Sequence, residues 1–175
     1  MTDPKNFSDY SFISIGVNLP SAAGSPQQTI AFAFDRIAGL SDFPLLKSSL
    51  YGSSPVDSPE GTPDFLNAVA GIIPNEAETP LSLLYKLQGI ENAAGRKRSG
   101  IKNEARTLDL DLIVFREELC NTPELILPHP RAHERRFVVQ PLIEITAGDL
   151  FLPGYEKNLN QLLIAISDEQ LIRRL

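Results

Sequence analysis

Two aspartates, Asp109 and Asp111, stand two residues apart at the start of a segment that becomes wholly apolar up to Phe115. Alternating apolar and polar residues followed by an apolar run predict a β-strand that begins half exposed and ends buried. Successive side chains of a strand point to opposite faces, so both carboxylates share one face, with Cα atoms about 6.6 Å apart. Like charges this close repel each other unless a cation neutralises them, and Mg²⁺ favours carboxylate oxygens together with substrate phosphates. The pair therefore predicts a site for one or two magnesium ions, with a solvated strand face as the alternative.

A basic segment leads directly into this strand. Five of the eleven residues from 96 to 106 are Lys or Arg, whereas the whole chain has a net charge of −6. Cations beside a metal-binding carboxylate pair suit a polyphosphate ligand, because they offset its negative charge. A solvated loop is the alternative interpretation.

Four other polar residues are candidates for contacts with such a ligand. His129 stands between two prolines, which hold its backbone extended, and Asn67 interrupts an apolar run. Gln88 and Glu91 lie three residues apart on a predicted helix and therefore share a face. The corresponding structural alternatives are a surface histidine, an exposed strand end and a solvated helix face.

Hydrophobic periodicity and turn signals predict the elements that position these residues. Strands are predicted over 10–17, 44–51, 65–73 and 106–115. One helix begins after Ser25 with a proline at its first position, and a second begins after Thr79 and ends at Gly95. Further amphipathic helices are predicted over 138–145, 158–166 and 167–175. The Pro-, Gly- and Ser-rich segment 52–63 is predicted to be a binding loop, with a plain connector as the alternative.

The order β-α-β-β-α-β predicts an α+β fold, in which a ferredoxin-like antiparallel sheet carries two helices on one face. The later helices are additions at the C-terminal end. The other face of the sheet would be free for a substrate.

Length and composition predict one domain, 1–175, with a core over about 10–166. An acidic chain with a pI near 4.9 argues against a nucleic-acid binder. The single cysteine, Cys120, cannot form an intrachain disulfide, and the sequence contains neither a signal peptide nor an apolar run of membrane-spanning length. We therefore expect a cytoplasmic monomer that binds small molecules and no membrane.

Three blocks of the sequence resemble the 6-hydroxymethyl-7,8-dihydropterin pyrophosphokinase family of folate biosynthesis. They are RTLDLD at 106–111, LPHPR at 127–131 and RRFVVQPL at 135–142, and the resemblance extends from about Phe12 to about Leu163. It implies a diphosphotransferase that moves the β,γ-diphosphate of Mg²⁺-bound ATP to the hydroxymethyl group of a reduced pterin and releases AMP. One difference is Asn103-Glu104-Ala105, where the family often has Trp-Gly-Pro in its lid.

The resemblance also implies roles for individual residues. Two magnesium ions would be bound by Asp109 and Asp111, which are catalytic together with Arg96 and Arg106. Contacts with ATP fall on Gln88, Glu91, Arg98, Leu112, His129 and Arg135. Contacts with the pterin fall on Ser53, Val56, Phe65, Asn67 and Phe137, the two rings stacking on the flat heterocycle.

Two other functions compete with this interpretation. One is a different magnesium-dependent, nucleotide-using transferase that acts on another acceptor. The other is a non-catalytic ferredoxin-like binding module. Phe65, Asn67 and Phe137 favour a flat polar heterocycle over other acceptors.

Overall fold

The computed structural model describes residues 6–55, 58–96 and 105–175. In these ranges the chain forms helices and the strands of an antiparallel sheet. The elements are, in chain order, β1 (Ser11–Val17), α1 (Pro26–Ala38), β2 (Leu46–Lys47), β3 (Tyr51–Ser53), β4 (Phe65–Ile72), α2 (Pro80–Ala93), β5 (Asp109–Phe115), β6 (Cys120–Asn121), β7 (Ile126–Leu127), a 3₁₀ turn (Ala132–Glu134), α3 (Arg136–Thr146), α4 (Leu159–Ala165) and β8 (Ile172–Arg174). None of the helices in these ranges is long and apolar enough to cross a membrane.

The two helices predicted from their N-terminal signals are confirmed. Ser25 caps α1, and its hydroxyl accepts a hydrogen bond from the N–H of Gln28, whose side chain returns one to the Ser25 N–H. Thr79 caps α2 in the same reciprocal way with Ser82. Such capping boxes satisfy backbone donors that a helix N-terminus otherwise leaves unpaired.

The main sheet is antiparallel, and its strand order is β5-β1-β4-β3-β8, with β2 also paired to β4. β1 lies between β4 and β5, so the first strand of the chain joins the strand with the two aspartates to the strand with Asn67. β5 begins at Asp109, three residues later than the sequence predicts.

Both faces of the sheet carry apolar layers. On one face, Ile13 and Ile15 of β1 pack with α1 and α2 in the larger core. On the other face, Phe12, Val69 and Ile113 pack against α3 and α4 in a second core. In the described part of the chain, helices therefore leave the second face uncovered only at the end that carries the aspartates, whereas the sequence predicted that this face would be free for a substrate.

The second predicted strand, 44–51, is two short strands rather than one. Between β2 and β3, the N–H of Ser48 donates to the carbonyl of Val69 at 3.0 Å, but the Val69 N–H donates to the Ser48 hydroxyl at 2.9 Å. Because a side chain takes the place of a backbone carbonyl, the regular ladder is interrupted at Ser48.

The C-terminal region differs most from prediction. The helix predicted over 158–166 is confirmed as α4, and α3 begins at Arg136, two residues before its predicted start. The helix predicted over 167–175 is wrong, because residues 172–174 form β8 and pair with β3. The edge strand of a sheet has unpaired backbone N–H and C=O groups that can bind another strand. The sequence of residues 167–175 does not show that such an edge lies nearby.

Glu144 connects α3 to the edge of the sheet that β3 and β8 form. Its carboxylate accepts from the Ser49 N–H at 3.0 Å, the Ser49 hydroxyl at 2.6 Å and the Tyr51 hydroxyl at 2.9 Å, and it pairs with Arg174 at 3.0 Å. Burial opposes ionisation of Glu144, but hydrogen bonds from Ser49 and Tyr51 outweigh it and hold its pKa below the ordinary value. Burial, followed by the hydrogen bond to Glu144, raises the pKa of Tyr51 to about 12.

We expect Glu144→Gln to lower the free energy of unfolding by about 1 kcal/mol at neutral pH, since water reaches this surface carboxylate and weakens its interactions. A lowered folded-state pKa stabilises the protein above the unfolded-state pKa, and this contribution is lost as pH falls through the folded-state pKa. Urea unfolding at neutral pH and at about pH 3.5 should therefore show a smaller difference between wild type and variant in acid. Glu76→Gln, at an exposed position, is the matched control. An equal difference at both pH values would contradict the role of the ionised carboxylate.

Candidate active site

A row of residues crosses three strands on the open part of the sheet. Gly16 of β1 pairs with Asp109 of β5 on one side and with Asn67 of β4 on the other. In the next row, Ser14 pairs with Asp111. Since neighbouring strands lie about 4.8 Å apart, the Cα atoms of Asp109 and Asn67 are separated by about 10 Å. Because Gly16 has no side chain, β1 does not fill the space above the sheet between Asp109 and Asn67.

A cavity lies over this row and contains most of the predicted site residues. Phe65 enters it from the first residue of β4, Phe137 from the first turn of α3, and Ser53 from the end of β3. The two aspartates line the same cavity. The sheet and α3 therefore bring together the aromatic and acidic candidates, which are far apart in the sequence.

Two arginines neutralise Asp109. Arg96, just after α2, donates to Oδ1 at 2.8 Å, and Arg106, just before β5, donates to Oδ2 at 2.6 Å. Each carboxylate oxygen thus has its own guanidinium partner, an arrangement of charge-assisted hydrogen bonds. The side chain of Asp109 is 21% exposed, so water weakens these pairs only partly.

Asp111 has a weaker partner and a perturbed pKa. Arg135 approaches its Oδ2 at 3.3 Å and also lies over the ring of Phe137, 5.7 Å from the centroid. Burial, followed by the neighbouring charge of Asp109, raises the pKa of Asp111 to about 7, against the opposing influence of Arg135 and Arg106. An additional cation at this site would stabilise the ionised form of Asp111.

His129 also lies near Asp111, with its Nε2 3.9 Å from the aspartate Oδ2. Burial, followed by the charge of Arg135, lowers the pKa of His129 to about 4, so the ring is neutral at pH 7. Its Nδ1 accepts a hydrogen bond from the Arg131 N–H at 3.2 Å. The proton of the neutral ring is therefore on Nε2, where it can be donated to an anionic oxygen.

Asn67 is buried and held by two hydrogen bonds. Its Nδ2 donates to the Ser53 hydroxyl at 2.8 Å and to the Tyr51 carbonyl at 3.3 Å. A Cβ built on Gly16 would lie 3.8 Å from the Asn67 Oδ1, so this oxygen is directed over the floor of the cavity. Asn67 is thus oriented by β3 and offers an amide oxygen at the site.

Glu91 and Gln88, predicted from their shared helix face, lie in different surroundings. The buried Glu91 carboxylate accepts from the Leu110 N–H at 2.8 Å and also pairs with Arg96. Gln88 is half-buried and lies outside the lining of the cavity. Glu91 thus connects α2 to the strand of the aspartates and orients one of the arginines that neutralise Asp109.

A second, more open groove adjoins the cavity at Asp111. Leu112 and His129 line it together with Leu84, Leu125 and Pro130. Three of the predicted nucleotide contacts line these two concave surfaces, Arg135 the first and Leu112 and His129 the second, whereas Gln88 and Glu91 line neither. Asp111 is common to both surfaces. Two predicted contacts, Val56 and Arg98, fall outside the described residues.

Some residues of the site were not identified from the sequence. Ser14 and Gly16 could have been, because they alternate with Ile13, Ile15 and Val17 along β1. Arg131, Glu134 and Gln170 also line the cavity. Arg131 ends the LPHPR block, whereas Glu134 and Gln170 lie outside the blocks that indicate the family.

The acidic pair fits a divalent cation that a phosphate ligand helps to coordinate. Among the described residues, no group of three or more His, Cys, Asp and Glu is arranged to hold a metal ion by itself. Asp109 and Asp111 nevertheless face one cavity, and their mutual repulsion contributes to the raised pKa of Asp111. Mg²⁺ is commonly bound by one or two carboxylates plus substrate phosphates, so the donor set is suitable.

Comparison with known proteins identifies similar sequences over nearly the whole chain. Residues 12–147 match the family model described as 7,8-dihydro-6-hydroxymethylpterin-pyrophosphokinase (HPPK). The 2-amino-4-hydroxy-6-hydroxymethyldihydropteridine pyrophosphokinase of Haemophilus influenzae is 39% identical over 164 residues, which cover 93% of this chain and 96% of that protein. The protein of the same name from Pseudomonas aeruginosa is 38% identical over 163 residues, covering 93% and 94% respectively.

Solved structures show a similar fold. The chain resembles an HPPK-DHPS protein crystallised in complex with substrates, with a TM-score of 0.65 and 12% sequence identity. The match covers 89% of this chain but 43% of that longer chain. An HPPK-DHPS structure from Plasmodium falciparum gives a TM-score of 0.62 at 11% identity.

We expect Glu91→Gln to lower the free energy of unfolding by about 1–3 kcal/mol, because the Leu110 N–H and Arg96 both lose a charged partner. Urea unfolding measures this loss. Gln88→Ala, at a half-buried position on the same helix, should change stability by no more than about 0.5 kcal/mol. Unchanged stability of the Glu91 variant together with weaker ATP binding would instead identify Glu91 as a nucleotide contact.

Proposed function

We infer that this chain, which belongs to the 7,8-dihydro-6-hydroxymethylpterin-pyrophosphokinase family, transfers a diphosphoryl group from ATP to 6-hydroxymethyl-7,8-dihydropterin. The products are AMP and the pterin diphosphate, and the reaction belongs to folate synthesis. ATP is the co-substrate. The roles of individual residues, the metal and the finer features of the fold are our proposals.

The main support for the residue assignments is the register in which β1 pairs with β4 and with β5. Because Gly16 pairs with both Asp109 and Asn67, the acidic pair and the polar edge of the cavity share one open face. Phe65 and Phe137 line the same cavity. Carboxylates for a metal-bound polyphosphate and rings for a flat heterocycle thus occupy adjacent parts of one site.

We assign Asp109 and Asp111 as ligands of two magnesium ions. When bound at these carboxylates, magnesium would neutralise phosphate charge and favour ionisation of the attacking hydroxyl group. The raised pKa of Asp111, to which burial and the charge of Asp109 contribute, supports this assignment. Magnesium would replace part of the compensation that Arg96, Arg106 and Arg135 provide for the carboxylates.

In the proposed reaction, the hydroxymethyl oxygen attacks the β-phosphorus of ATP in line with the leaving group. An O–P bond forms, the bond from the β-phosphorus to the α-phosphate oxygen breaks, and the hydroxyl proton is released. Such transfers depend mainly on positioning and charge stabilisation. Arg96 and Arg106 would stabilise the charge that develops on the departing AMP, and His129 would donate its Nε2 proton in a hydrogen bond to a phosphate oxygen.

The remaining predicted residues would bind the two substrates. Phe65 and Phe137 would stack on the pterin, while Asn67 and Ser53 would hydrogen-bond its edge. Arg135 would contact the phosphates, and the open groove lined by Leu112 and His129 is a suitable surface for the rest of the nucleotide. Arg98 and Val56 are assigned on the family resemblance, and Gln88 and Glu91 on that resemblance together with their shared helix face.

Several broader proposals accompany this function. The strand order β5-β1-β4-β3 supports a ferredoxin-like core, although β8 extends its edge. We propose that residues 1–175 form one pyrophosphokinase domain and that the protein acts as a cytoplasmic monomer. The free thiol of Cys120 is compatible with that reducing location.

Release of AMP from ATP, measured with and without 6-hydroxymethyl-7,8-dihydropterin, tests the function directly. We expect release that requires both the pterin and Mg²⁺. Simple alcohols and sugars should not replace the pterin as acceptor. Equal activity with those acceptors would support a different transferase, and absence of turnover with substrate binding retained would support a non-catalytic module.

We expect Asp109→Asn and Asp111→Asn to reduce kcat by at least about 1,000-fold, because each variant removes a negatively charged metal ligand. Circular dichroism should show that both variants remain folded. Asp149→Asn, at an exposed position, is the matched control. A near-normal kcat in either active-site variant would contradict the metal role.

We expect Phe137→Ala to weaken pterin binding by roughly 1–3 kcal/mol, because it removes one aromatic face from the stack. Equilibrium titration monitored by pterin fluorescence measures the change. Phe43→Ala, at an exposed position, serves as the control. Unchanged pterin affinity would remove Phe137 from the binding site.

A further inference from the structure

The C-terminal segment contacts two walls of the cavity. β8 pairs with β3, and its Ile172 is opposite Ser53 in the register. Just before β8, Gln170 lines the cavity and reaches the short connection between the 3₁₀ turn and α3. That connection presents Arg135 to the aspartates.

Gln170 binds the connection at two backbone groups. Its Nε2 donates to the carbonyl of Glu134 at 2.8 Å, and its Oε1 accepts from the N–H of Arg136 at 2.9 Å. The Glu134 carbonyl and the Arg136 N–H lie on either side of Arg135. The side-chain amide of Gln170 therefore pairs with the backbone around Arg135 in the way that the backbone of a neighbouring β-strand would. The backbone of Arg135 is extended, with φ −109° and ψ 108°.

The surroundings of Gln170 set it apart from its neighbours. It is half-buried, whereas Ser167, Asp168, Glu169 and Leu171 are exposed. Arg136 makes two further contacts with the C-terminal segment. Its guanidinium donates to the carbonyl of Ile166 at 3.3 Å and to the carboxylate of Asp168 at 3.0 Å. Because the Asp168 side chain is fully exposed, that ion pair adds little. The hydrogen bonds of Gln170 differ from these contacts because they reach the backbone on both sides of Arg135.

The residue that Gln170 spans connects the two halves of the proposed site. The guanidinium of Arg135 lies 3.3 Å from Asp111 and 5.7 Å from the centroid of Phe137. A rotation of the extended backbone at Arg135 would move this guanidinium and change the direction from which Phe137 enters the cavity. Small misplacements of this kind are costly in a reaction that depends on positioning.

We propose that Gln170 is a positioning residue for diphosphoryl transfer: its side-chain amide fixes the extended backbone at Arg135, so that Arg135 and Phe137 are aligned for phosphate and pterin. This proposal rests on the function proposed above. Gln170 acts through Arg135 and Phe137 and takes no part in bond formation.

Two variants separate this role from simple packing. Gln170→Ala removes both hydrogen bonds. Gln170→Met keeps the length of the side chain without adding a charge to the cavity but removes the amide. If the amide only fills space, the Met variant should resemble wild type. If it positions the connection, the Met variant should resemble Ala. Glu169→Ala, at the exposed neighbouring position, is the control.

We expect kcat/KM for the pterin to fall about tenfold or more in both Gln170 variants and to stay unchanged in the control. Circular dichroism at the assay temperature reports the folded fraction, and rates are expressed per folded enzyme. Should the Ala variant fail to fold, the Met variant of matched size provides the test. Values of kcat and pterin KM within about twofold of wild type in the folded Gln170 variants would overturn the proposal.

Amide hydrogen exchange gives a readout that does not depend on activity. The Arg136 N–H should exchange at least about tenfold faster in Gln170→Ala than in wild type. An unchanged exchange rate would show that the side chain does not hold the connection and would overturn the proposal. Wild-type protein that releases no AMP in the presence of pterin would refute the proposed function, and the exchange experiment would then still report whether the attachment exists.

Discussion

The arrangement of the site depends on one constraint, the register in which β1 pairs with β4 on one side and β5 on the other. Gly16 is opposite both Asn67 and Asp109, and Ser14 is opposite Asp111. A slip of one residue in either pairing would turn the polar side chains of that strand toward the apolar core. The buried residues on the opposite face, such as Ile13 and Ile15, make such a slip unfavourable because they would lose their packing with the helices. The hydrophobic core thus specifies the geometry of the polar site.

Charge compensation is the second organising feature. Each oxygen of Asp109 is bound by a different arginine, one following α2 and one preceding β5, and Asp111 is approached by a third from the start of α3. In the site that we propose, part of this compensation would pass to a metal-bound polyphosphate, because the same cations could move their interactions to phosphate oxygens. The neutral His129 adds a hydrogen-bond donor without adding another charge, since burial lowers its pKa.

The division of the second sheet face explains why the cavity is limited to one end. At the other end, Phe12, Val69 and Ile113 are covered by α3 and α4. The first turn of α3 also supplies Phe137 to the cavity, so the same helix closes the apolar half of the face and forms one wall of the polar half. Glu144 on α3 and Gln170 before β8 attach this layer to the sheet and to the connection at Arg135. Packing and site geometry are therefore coupled through the C-terminal part of the chain.

The sequence by itself determined the features whose signals are local. Helix starts at Ser25 and Thr79 were predictable because capping boxes involve residues three positions apart, and the shared face of Asp109 and Asp111 followed from the two-residue period of a strand. The family, and with it the reaction, followed from motif blocks that are short and continuous. Only the tertiary structure decided the split of the second strand, the pairing of β8 with β3 and the attachment of Glu91 to Leu110. It also decided that Gln170 reaches Glu134, 36 residues away, and that Glu144 reaches Ser49, 95 residues away. The physical reason is that these partners are selected by the positions of free backbone groups and sheet edges, which exist only after distant segments have packed together.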